Sequence, residues 1–524
     1  MKRVIIVGLV GLMGLIGCSR QPKTIVSSEK PDTTVHHQPT MSEMMLPDTI
    51  YPSAASIDYQ IAQTDSDSHP MKDFIDRYDR KDRVMTFRKN LLRDADFGGR
   101  VQGTPSEIEI AWVYKTPYGH DSTSYGTWGG GTGWTGQPLY AHWTDEEMKA
   151  FKDSSDSLTT DFGSEEIMVG SLYGQAFFIN YQTGKASRRP LDLHNVVKGT
   201  MSLDPEFMNL YSGQGVPKGE PIGCQAFDLL THNRHFFFSD REAWRGWNAF
   251  DSSPIVAGGY LFWPGENGSF YKYERQTGGR LKRVSTLRYR IHGVAPGIES
   301  SVCIYRNYGF FSDNHGNIIC VNLNTMTPVW LYNNHDDSDG TIVCRVEKDI
   351  PYLYTACEVD KQGVHGICHF IKLNALNGQL VWERQIPCER VELPGKILDG
   401  GMYASPLIGR GDCEQMIFAN ICRNGASDSR GELTALSTLD GTILYTVPYG
   451  NFAWSSPVGF LNEKDEQFIF TGNANGTAYL IRGKTGEVLC RKEIGYNFES
   501  SPCVVGNTAI VGTRGTNIYK FVIK

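Results

Sequence analysis

Residues 455–487 read SSPVGFLNEKDEQFIFTGNANGTAYLIRGKTGE, and this order of turn, strands and hairpin recurs along the chain. A Ser-Ser-Pro turn opens the unit, alternating apolar and polar residues follow, and a Thr-Gly hairpin closes it. Similar openings read SSPIV at 252–256, ESSVCI at 299–304, ASPLI at 404–408 and SSPCVV at 500–505. A repeat of this size indicates one supersecondary unit that is used many times, and such a unit decides the whole fold.

The repeats predict an all-β fold. We count eight units, which favours an eight-bladed β-propeller of four-stranded blades; seven blades is the alternative if the irregular second unit is miscounted. The composition agrees, with 56 Gly and 25 each of Tyr and Phe, as expected for many tight turns. The eight units are anchored near Gln137, Ser202, Ser253, Ser301, Thr341, Ser405, Ser456 and Ser501.

The last unit contains only three strand patterns, in SPCVV, TAIVGT and IYKFVIK. Residues 107–114 alternate with a period of two and have no partner before the first unit. We therefore expect this N-terminal strand to be the outer strand of the last blade, since ring closure removes free sheet edges. Trp330 and Trp382 are expected to pack between neighbouring sheets.

The N-terminus predicts export and lipidation. A basic start and a short apolar run end in Leu-Ile-Gly-Cys, which indicates a lipoprotein signal peptide over 1–17 and lipidation of Cys18; the alternative is an ordinary secretory signal. Residues 18–70 are polar and predict a flexible tether. An N-terminal extension over 71–106, with a short helix, precedes the propeller at 107–524. We expect a membrane-anchored protein of the bacterial cell envelope, at the outer membrane facing the periplasm.

Charge and cysteine content exclude some functions. The net charge is −7 and no basic run is present, so a nucleic-acid partner is not expected. The chain has 12 cysteines, and no CxxC motif supports zinc binding. Export permits disulfides, and Cys413 with Cys422 or Cys344 with Cys357 could pair across hairpins, but sequence does not decide this.

Two insertions are candidate binding sites for a protein or glycan partner. Both are rich in aromatic residues, and the first also holds Arg and His, a composition typical of binding hot spots. The alternative is that these aromatic residues pack the blade connections. The candidates are His232, His235, Asp240, Arg241, Trp244, Arg245 and Trp247 in the first insertion, and Trp128 and Trp134 in a glycine-rich loop.

No catalytic or metal-binding motif is found. NNHDDSDG at 333–340 lacks the spacing of a calcium loop, so a solvated turn is expected there. A glycan-cleaving propeller would need clustered acids and bases, such as Asp240 or Glu242 with His235.

Two segments resemble the PQQ-binding-like β-propeller repeat family. GICHFIKLNALNGQLVW at 366–382 is similar to the closing pattern of that repeat. TFRKN at 86–90, followed by Arg93, Trp112 and Lys115-Thr116, is similar to the family's opening. The resemblance covers residues 85–524.

The resemblance implies one of two functions. Some members are quinoprotein dehydrogenases, with a quinone stacked on a Trp at the ring centre, a Ca²⁺ ion, a catalytic Asp and often a vicinal disulfide. Others, of the BamB type, are lipoproteins that act as non-catalytic scaffolds. This chain has no Cys-Cys pair and no CxxCH motif. We therefore expect a non-catalytic binding or assembly scaffold without cofactor, with a PQQ-dependent dehydrogenase or a glycan-active propeller as the alternatives.

Overall fold

Eight four-stranded antiparallel blades form a ring, which confirms the predicted eight-bladed propeller over the seven-bladed alternative. The computed structural model describes residues 39–119, 122–123, 126–133, 136–393, 396–423 and 430–524. The strands of blades 1 to 4 are Leu139–His142, Glu165–Gly170, Gln175–Asn180 and Leu191–Asp192; Ser202–Leu203, Asn209–Gly213, Cys224–Asp228 and Arg234–Phe238; Ile255–Ala257, Tyr260–Gly265, Ser269–Arg275 and Leu281–Ile291; Cys303–Tyr305, Tyr308–Ser312, Asn317–Asn322 and Thr327–Asn333. Those of blades 5 to 8 are Val343–Glu347, Ile350–Ala356, His365–Asn374 and Leu380–Glu389; Leu407–Ile408, Met416–Cys422, Gly431–Ser437 and Ile443–Pro448; Val458–Leu461, Gln467–Gly472, Thr477–Arg482 and Val488–Glu493; Cys503–Val505, Thr508–Gly512, Asn517–Ile523 and Ile108–Lys115.

The N-terminal strand closes the ring as predicted. Ile108–Lys115 pairs antiparallel with Asn517–Ile523, in a register that places Ile108 opposite Ile523. Blade 8 therefore combines one strand from the start of the propeller sequence with three strands from its end, and this pairing closes the ring.

Short elements lie outside the four main strands of each blade. The helix Asp145–Ser154 follows the first strand of blade 1, and Thr144 and Glu147 form a capping box at its start. No helix of the described residues is long and apolar enough to span a membrane. The remaining elements are the helix Met41–Met44, the 3₁₀ turns Pro52–Ser56, Thr277–Gly279 and Gly411–Cys413, and the strands Ile57–Gln63, Arg83–Val84, Ser122–Thr123, Gly126–Thr127, Glu358–Val359, Val391–Leu393, Lys396–Leu398 and Gly400–Gly401.

A belt of hydrogen bonds joins the starts of the inner strands. In six contacts the backbone N–H of one blade's anchor residue donates to the next anchor's hydroxyl over 2.7–3.1 Å. In a seventh, the Ser501 N–H donates to the carbonyl oxygen of Gly136, the residue before the anchor Gln137, over 3.0 Å. Small hydroxyl residues recur at the anchors because they fit the crowded axis and satisfy the neighbour's N–H. The anchor expected at Ser202 is wrong by two residues, since Thr200 occupies the equivalent place and accepts from Gln137.

Outer-strand tryptophans hold neighbouring blades together, as predicted. The Trp330 indole N–H donates to the Ala375 carbonyl of the next blade over 3.0 Å. The same ring lies where a side chain on Gly378 would be, since a Cβ there would come within 2.7 Å of it. Gly378 has φ +72°, a conformation that favours glycine. Trp382 repeats the arrangement with Thr438 and Gly441, so the hairpin glycine is the socket for the neighbour's indole.

Residues 83–101, which we call the plug, fill one end of the central channel. No helix forms over 71–90, so the helix expected there is wrong; Arg83–Val84 instead pairs with the inner strand of blade 1. Backbone atoms of the plug bond to the inner strands because the channel is lined by strand edges that have no other partner. The plug contacts every blade, through Gln137, Leu203, Pro254, Ile304, Cys344, Pro406, Pro457 and Gly506.

Two arginines of the plug are fully buried and bridge blades. Arg93 donates to the carbonyl oxygens of Val302 at 2.9 Å and Ser253 at 3.1 Å, in blades 4 and 3. Arg88 donates to those of Pro457, at 3.0 Å, and Pro406, in blades 7 and 6. Burial lowers the pKa of Arg93 to about 10, so its guanidinium is still charged at neutral pH.

Residues 44–63, which we call the strap, run along the propeller, so the expected flexible tether over 18–70 is wrong in this part. Ile57–Gln63 pairs with Leu281–Ile291 and adds a fifth strand to blade 3. Tyr51 donates its backbone N–H to Val329 on the outer strand of blade 4 over 2.8 Å. The polar strand pattern IDYQIAQ fits an exposed sheet edge, where backbone pairing holds the segment without a large apolar face.

Candidate ligand-binding mouth

The channel end opposite the plug opens as a mouth, which in the described part of the chain is lined by one side chain from each of seven blades. Seven lining residues each stand two positions before a belt residue, so they share one level of the ring. The corresponding sequence position before Gln137 is residue 135, which lies outside the described residues, as does the candidate Trp134. The seven are Lys198, Asp251, Glu299, Asp339, Tyr403, Trp454 and Glu499.

Acidic residues in the mouth form two groups of three. Carboxylate oxygens of Asp251, Glu266 and Glu299 lie within 4.8 Å of one another. The carboxylate oxygens of Asp337, Asp339 and Glu358 form a second group and also lie within 4.8 Å of one another. Each group combines two residues from the blade connections with one residue that lies between the second and third strands of a blade.

Burial and mutual repulsion raise the pKa of three carboxyls in these groups. The pKa of Glu299 is raised well above its usual range by burial, and further by the charges of Asp339 and Glu266. The pKa values of Asp339 and Glu358 are raised well above their usual range for the same two reasons. A cluster of this kind is stable at neutral pH only when protons or bound cations offset its charge.

Basic residues offset the acidic charge only in part. Lys198 contacts Asp251, the Arg245 guanidinium lies 3.5 Å from Glu266, and Lys361 lies 3.0 Å from Asp337. Asp251 Oδ1 has no hydrogen-bond partner among the described residues, although its side chain is only 1% exposed. A Cβ on Gly215 would lie 2.4 Å from that oxygen. The unsatisfied carboxylate oxygen therefore approaches Gly215 more closely than a side chain at that position would allow.

Aromatic residues line the other side of the mouth. The rings of Tyr403 and Trp454 have centroids 5.3 Å apart, and Phe452 stacks on Trp454 at 6.2 Å. The charges of Glu358 and Asp399 contribute to raising the pKa of Tyr403, after the effect of burial, which places this ring beside the second acidic group. The mouth therefore has an acidic side and an aromatic side.

The first predicted insertion is divided between the two faces of the ring. His232 lies in a hairpin on the plug side and stacks on Phe178 at 5.0 Å; burial and Arg188 lower its pKa to about 4. His235 is exposed on the outer strand of blade 2. Neither histidine is near the mouth, so they do not form one site with the rest of the insertion.

The other residues of that insertion lie on the mouth side, in different roles. Asp240 lies 3.1 Å from Arg288 and accepts a hydrogen bond from Tyr271, so its role is structural. Arg241 is exposed. Trp244 lies under the Arg290 guanidinium at 4.3 Å. Two residues reach the mouth: Arg245 and Trp247, whose indole N–H donates to Glu266 over 3.0 Å. The separation of Asp240 and His235 does not provide the acid–base cluster that glycan cleavage requires.

Trp128 of the glycine-rich loop also borders the mouth. Its ring packs on Leu172, Val196 and Val216, and Lys198 lies 6.0 Å from the ring centroid. Cys18, the predicted lipidation site, lies outside the described residues.

Sequence reasoning missed the acidic groups, because their members come from separate loops. The loop at 333–340, expected as a solvated turn, places Asp337 and Asp339 in the mouth, so that expectation is wrong. A signal was present: an acidic residue stands two positions before the anchor in DSS at 251, ESS at 299 and DGT at 339.

The comparisons with known proteins support the fold. No family model and no curated protein matches the chain. Among solved structures, a europium-containing methanol dehydrogenase is 13% identical with a TM-score of 0.54, covering 85% of this chain and 99% of that one. A quinohemoprotein alcohol dehydrogenase from Comamonas testosteroni is 13% identical with a TM-score of 0.56, covering 85% and 81%. BamB from Moraxella catarrhalis is 12% identical with a TM-score of 0.48, covering 71% and 96%. The predicted resemblance to PQQ-like propellers is thereby confirmed for the fold.

Proposed function

We propose that this protein is a lipid-anchored, non-catalytic binding scaffold of the bacterial cell envelope, and that its mouth holds a hard multivalent cation on the face that receives a protein or glycan partner. The observation that supports this most directly is the pair of three-carboxylate groups in a mouth whose other end is closed by the plug. The predicted lipoprotein signal at 1–18 supports the anchor.

The ligand set fits a hard cation such as Ca²⁺ or a lanthanide. Both groups offer only carboxylate oxygens, the donors that these ions prefer, and the unsatisfied Oδ1 of Asp251 supplies a ready ligand. The cation would also offset the repulsion that raises the carboxyl pKa values. By its name, the methanol dehydrogenase of similar fold contains europium.

The described residues fit a quinone cofactor poorly. PQQ carries carboxylates of its own, and two cations of the mouth, Lys198 and Arg245, already contact Asp251 and Glu266. The acidic wall would repel an anionic cofactor. We therefore assign no dehydrogenase step to these residues. Absence of quinone binding and of dye reduction by the purified protein is the expected result.

Titration with terbium(III) tests the cation site. Trp247, which is hydrogen-bonded to Glu266, and Tyr403, beside the second group, should sensitise terbium emission. We expect saturable emission that calcium displaces, with a terbium Kd of roughly 10⁻⁶–10⁻⁴ M. Protons compete for the same carboxylates, so the affinity should fall as the pH is lowered from 7.5 to 5.5.

Matched variants locate the site. Asp339→Asn and Glu299→Gln should weaken terbium binding at least tenfold, whereas Glu146→Gln, an exposed acid on the helix Asp145–Ser154, should leave it unchanged. Equal affinities in all three variants would place the ion elsewhere and overturn the proposed site.

Affinity capture of the lipidated protein from detergent-solubilised envelopes tests the scaffold role. A dominant envelope protein or glycan at near-equal stoichiometry, which Asp339→Asn or a chelator releases, is the expected result. If the partner is retained equally by Asp339→Asn and in the presence of a chelator, the scaffold role does not depend on the mouth. Capture without any partner would contradict the scaffold role itself.

A further inference from the structure

A pocket of about 390 Å³ opens on the plug side of the ring, between blades 1 and 8. Its lining comes from both ends of the plug and from the inner strands of the two blades. The volume lies in the range of about 300–1,000 Å³ that is typical of sites for small molecules. The function proposed above makes no use of this pocket.

Backbone pairing fixes the walls of the pocket. Val84 stands opposite Tyr140, where the start of the plug pairs with the inner strand of blade 1. At the other wall, the Arg100 N–H donates to the Gly506 carbonyl of blade 8 over 2.9 Å. The fold itself therefore forms the pocket before any ligand enters.

The pocket is lined by charge of one sign. Among the described residues that line it, four are cationic and none is acidic. Lys81 and Arg100 are exposed at its rim, and neither forms an ion pair within the described part of the chain. Arg83 and Lys89 lie deeper, with side chains that are 4% and 6% exposed. Such a lining attracts a ligand of opposite charge.

The Lys89 ammonium is buried without a close carboxylate. It donates to the backbone carbonyl of Asp96 over 2.8 Å. The carboxylate that pairs with it, that of Asp79, lies 3.9 Å away and is 70% exposed. A buried charge needs a hydrogen-bonded partner of opposite charge to offset its desolvation. The surroundings of Lys89 therefore indicate that an anion binds in the pocket.

Arg83 gives a second, independent indication of an anionic ligand. Its Nη2 donates to Glu147 over 2.5 Å, which fixes the guanidinium. Its Nε is buried and has no hydrogen-bond partner among the described residues. Asp82 lies 3.7 Å from this Nε, but both of its oxygens accept hydrogen bonds from Arg80. Arg83 therefore combines a defined orientation with an unsatisfied donor.

Apolar side chains form most of the remaining lining. They are Val84, Phe97, Tyr140, Val504 and Val505. The pocket therefore fits a ligand that joins an anionic group to a small organic body. A phosphate ester fits better than a carboxylate, because its oxygens offer acceptors to several cations at once and both arginine and lysine bind phosphate.

We propose that this plug-side pocket binds a phosphate ester. Arg83 and Lys89 contact the phosphate oxygens from inside the pocket, Lys81 and Arg100 contact them from the rim, and the apolar residues receive the organic body. A soluble phosphate ester and the headgroup of an anionic phospholipid share this chemistry. The proposal does not rest on the cation site, which lies at the other end of the ring.

Calorimetric titration of the full-length protein in a non-ionic detergent tests the proposal. The probes are sn-glycerol 3-phosphate, dihexanoyl phosphatidylglycerol and, as the uncharged control, glycerol. We expect one phosphate ester per chain with a Kd below about 1 mM, no binding of glycerol, and weaker binding as sodium chloride rises from about 0.05 to 0.3 M. Tighter binding of the first probe identifies a soluble ester as the ligand, and tighter binding of the second identifies a lipid headgroup.

Variants locate the phosphate. Lys89→Gln should weaken binding about tenfold or more, and the double variant Lys81→Gln/Arg100→Gln should do the same, since each removes charge-assisted contacts. The double variant keeps the test independent of plug packing, because both of its side chains are exposed. Lys149→Gln is the matched control: Lys149 is exposed on the helix Asp145–Ser154, outside the pocket, and its replacement should leave the affinity unchanged.

Two results would overturn the proposal. One is that neither phosphate probe binds to the wild type. The other is that Lys89→Gln, Lys81→Gln/Arg100→Gln and Lys149→Gln bind with equal affinity, which would place the ligand elsewhere. Terbium affinity should be the same in all of these variants, because the mouth uses other residues. Failure of the phosphate site is therefore distinguishable from failure of the cation site.

Discussion

Replacing Arg93 with methionine should lower the free energy of unfolding by about 3–5 kcal/mol. The fully buried guanidinium donates to Val302 and Ser253, and also to Phe87 at 2.6 Å and the Thr86 hydroxyl at 3.0 Å. Methionine fills much of the volume but leaves three carbonyl oxygens without a partner, and each such buried group costs about 1–3 kcal/mol. The change therefore tests whether the plug holds blades 3 and 4 together.

Urea unfolding followed by tryptophan fluorescence measures this effect. Arg280→Met is the control, since Arg280 is exposed and should change stability by less than about 0.5 kcal/mol. A loss in Arg93→Met no larger than in Arg280→Met would mean that the plug is not part of the cooperative fold.

Replacing Trp330 with alanine should cost about 3–5 kcal/mol, the usual range for a buried aromatic residue. The indole is fully buried, packs against Phe310 with centroids 5.9 Å apart, and donates to Ala375 in the next blade. Its removal leaves a cavity between blades 4 and 5 and an unsatisfied carbonyl oxygen. Trp244→Ala, at a half-buried ring on the mouth side, should cost less than about 1.5 kcal/mol.

A double-mutant cycle of Trp330→Ala and Gly378→Ala separates the socket, which is the contact between the indole and the hairpin glycine, from the general packing of the ring. In the wild type the new Cβ would come within 2.7 Å of the Trp330 ring, so the single change should destabilise the protein. In the Trp330→Ala background that clash is removed, and the combined loss should be smaller than the sum of the two. Additive losses would contradict the proposed socket.

Short-range patterns were enough to predict the blades and their closure. The alternation in residues 107–114 and the three-stranded last unit led to the pairing of Ile108–Lys115 with Asn517–Ile523. Trp330 and Trp382 were recognised because they recur at one place in the repeat. These features depend on neighbouring residues and on the requirement that a ring has no free edge.

The plug and the strap were not predictable in this way. Residues 44–63 and 83–101 have no apolar period, because their backbones bond to strand edges and to the channel rather than burying one apolar face. Arg88 and Arg93 were noted only through the family resemblance. Their burial depends on carbonyl oxygens of blades that are distant in sequence.

By itself, the sequence determined the fold class, the number of blades, the closing strand and the aromatic contacts between blades, since each follows from periodicity within about 50 residues. Only the tertiary structure decided where chemistry can occur. Asp251, Glu299 and Asp339 meet at one mouth because the belt aligns three separate blades. A ring brings together residues at the same position of different repeats, and that proximity is a property of the closed ring rather than of any one repeat.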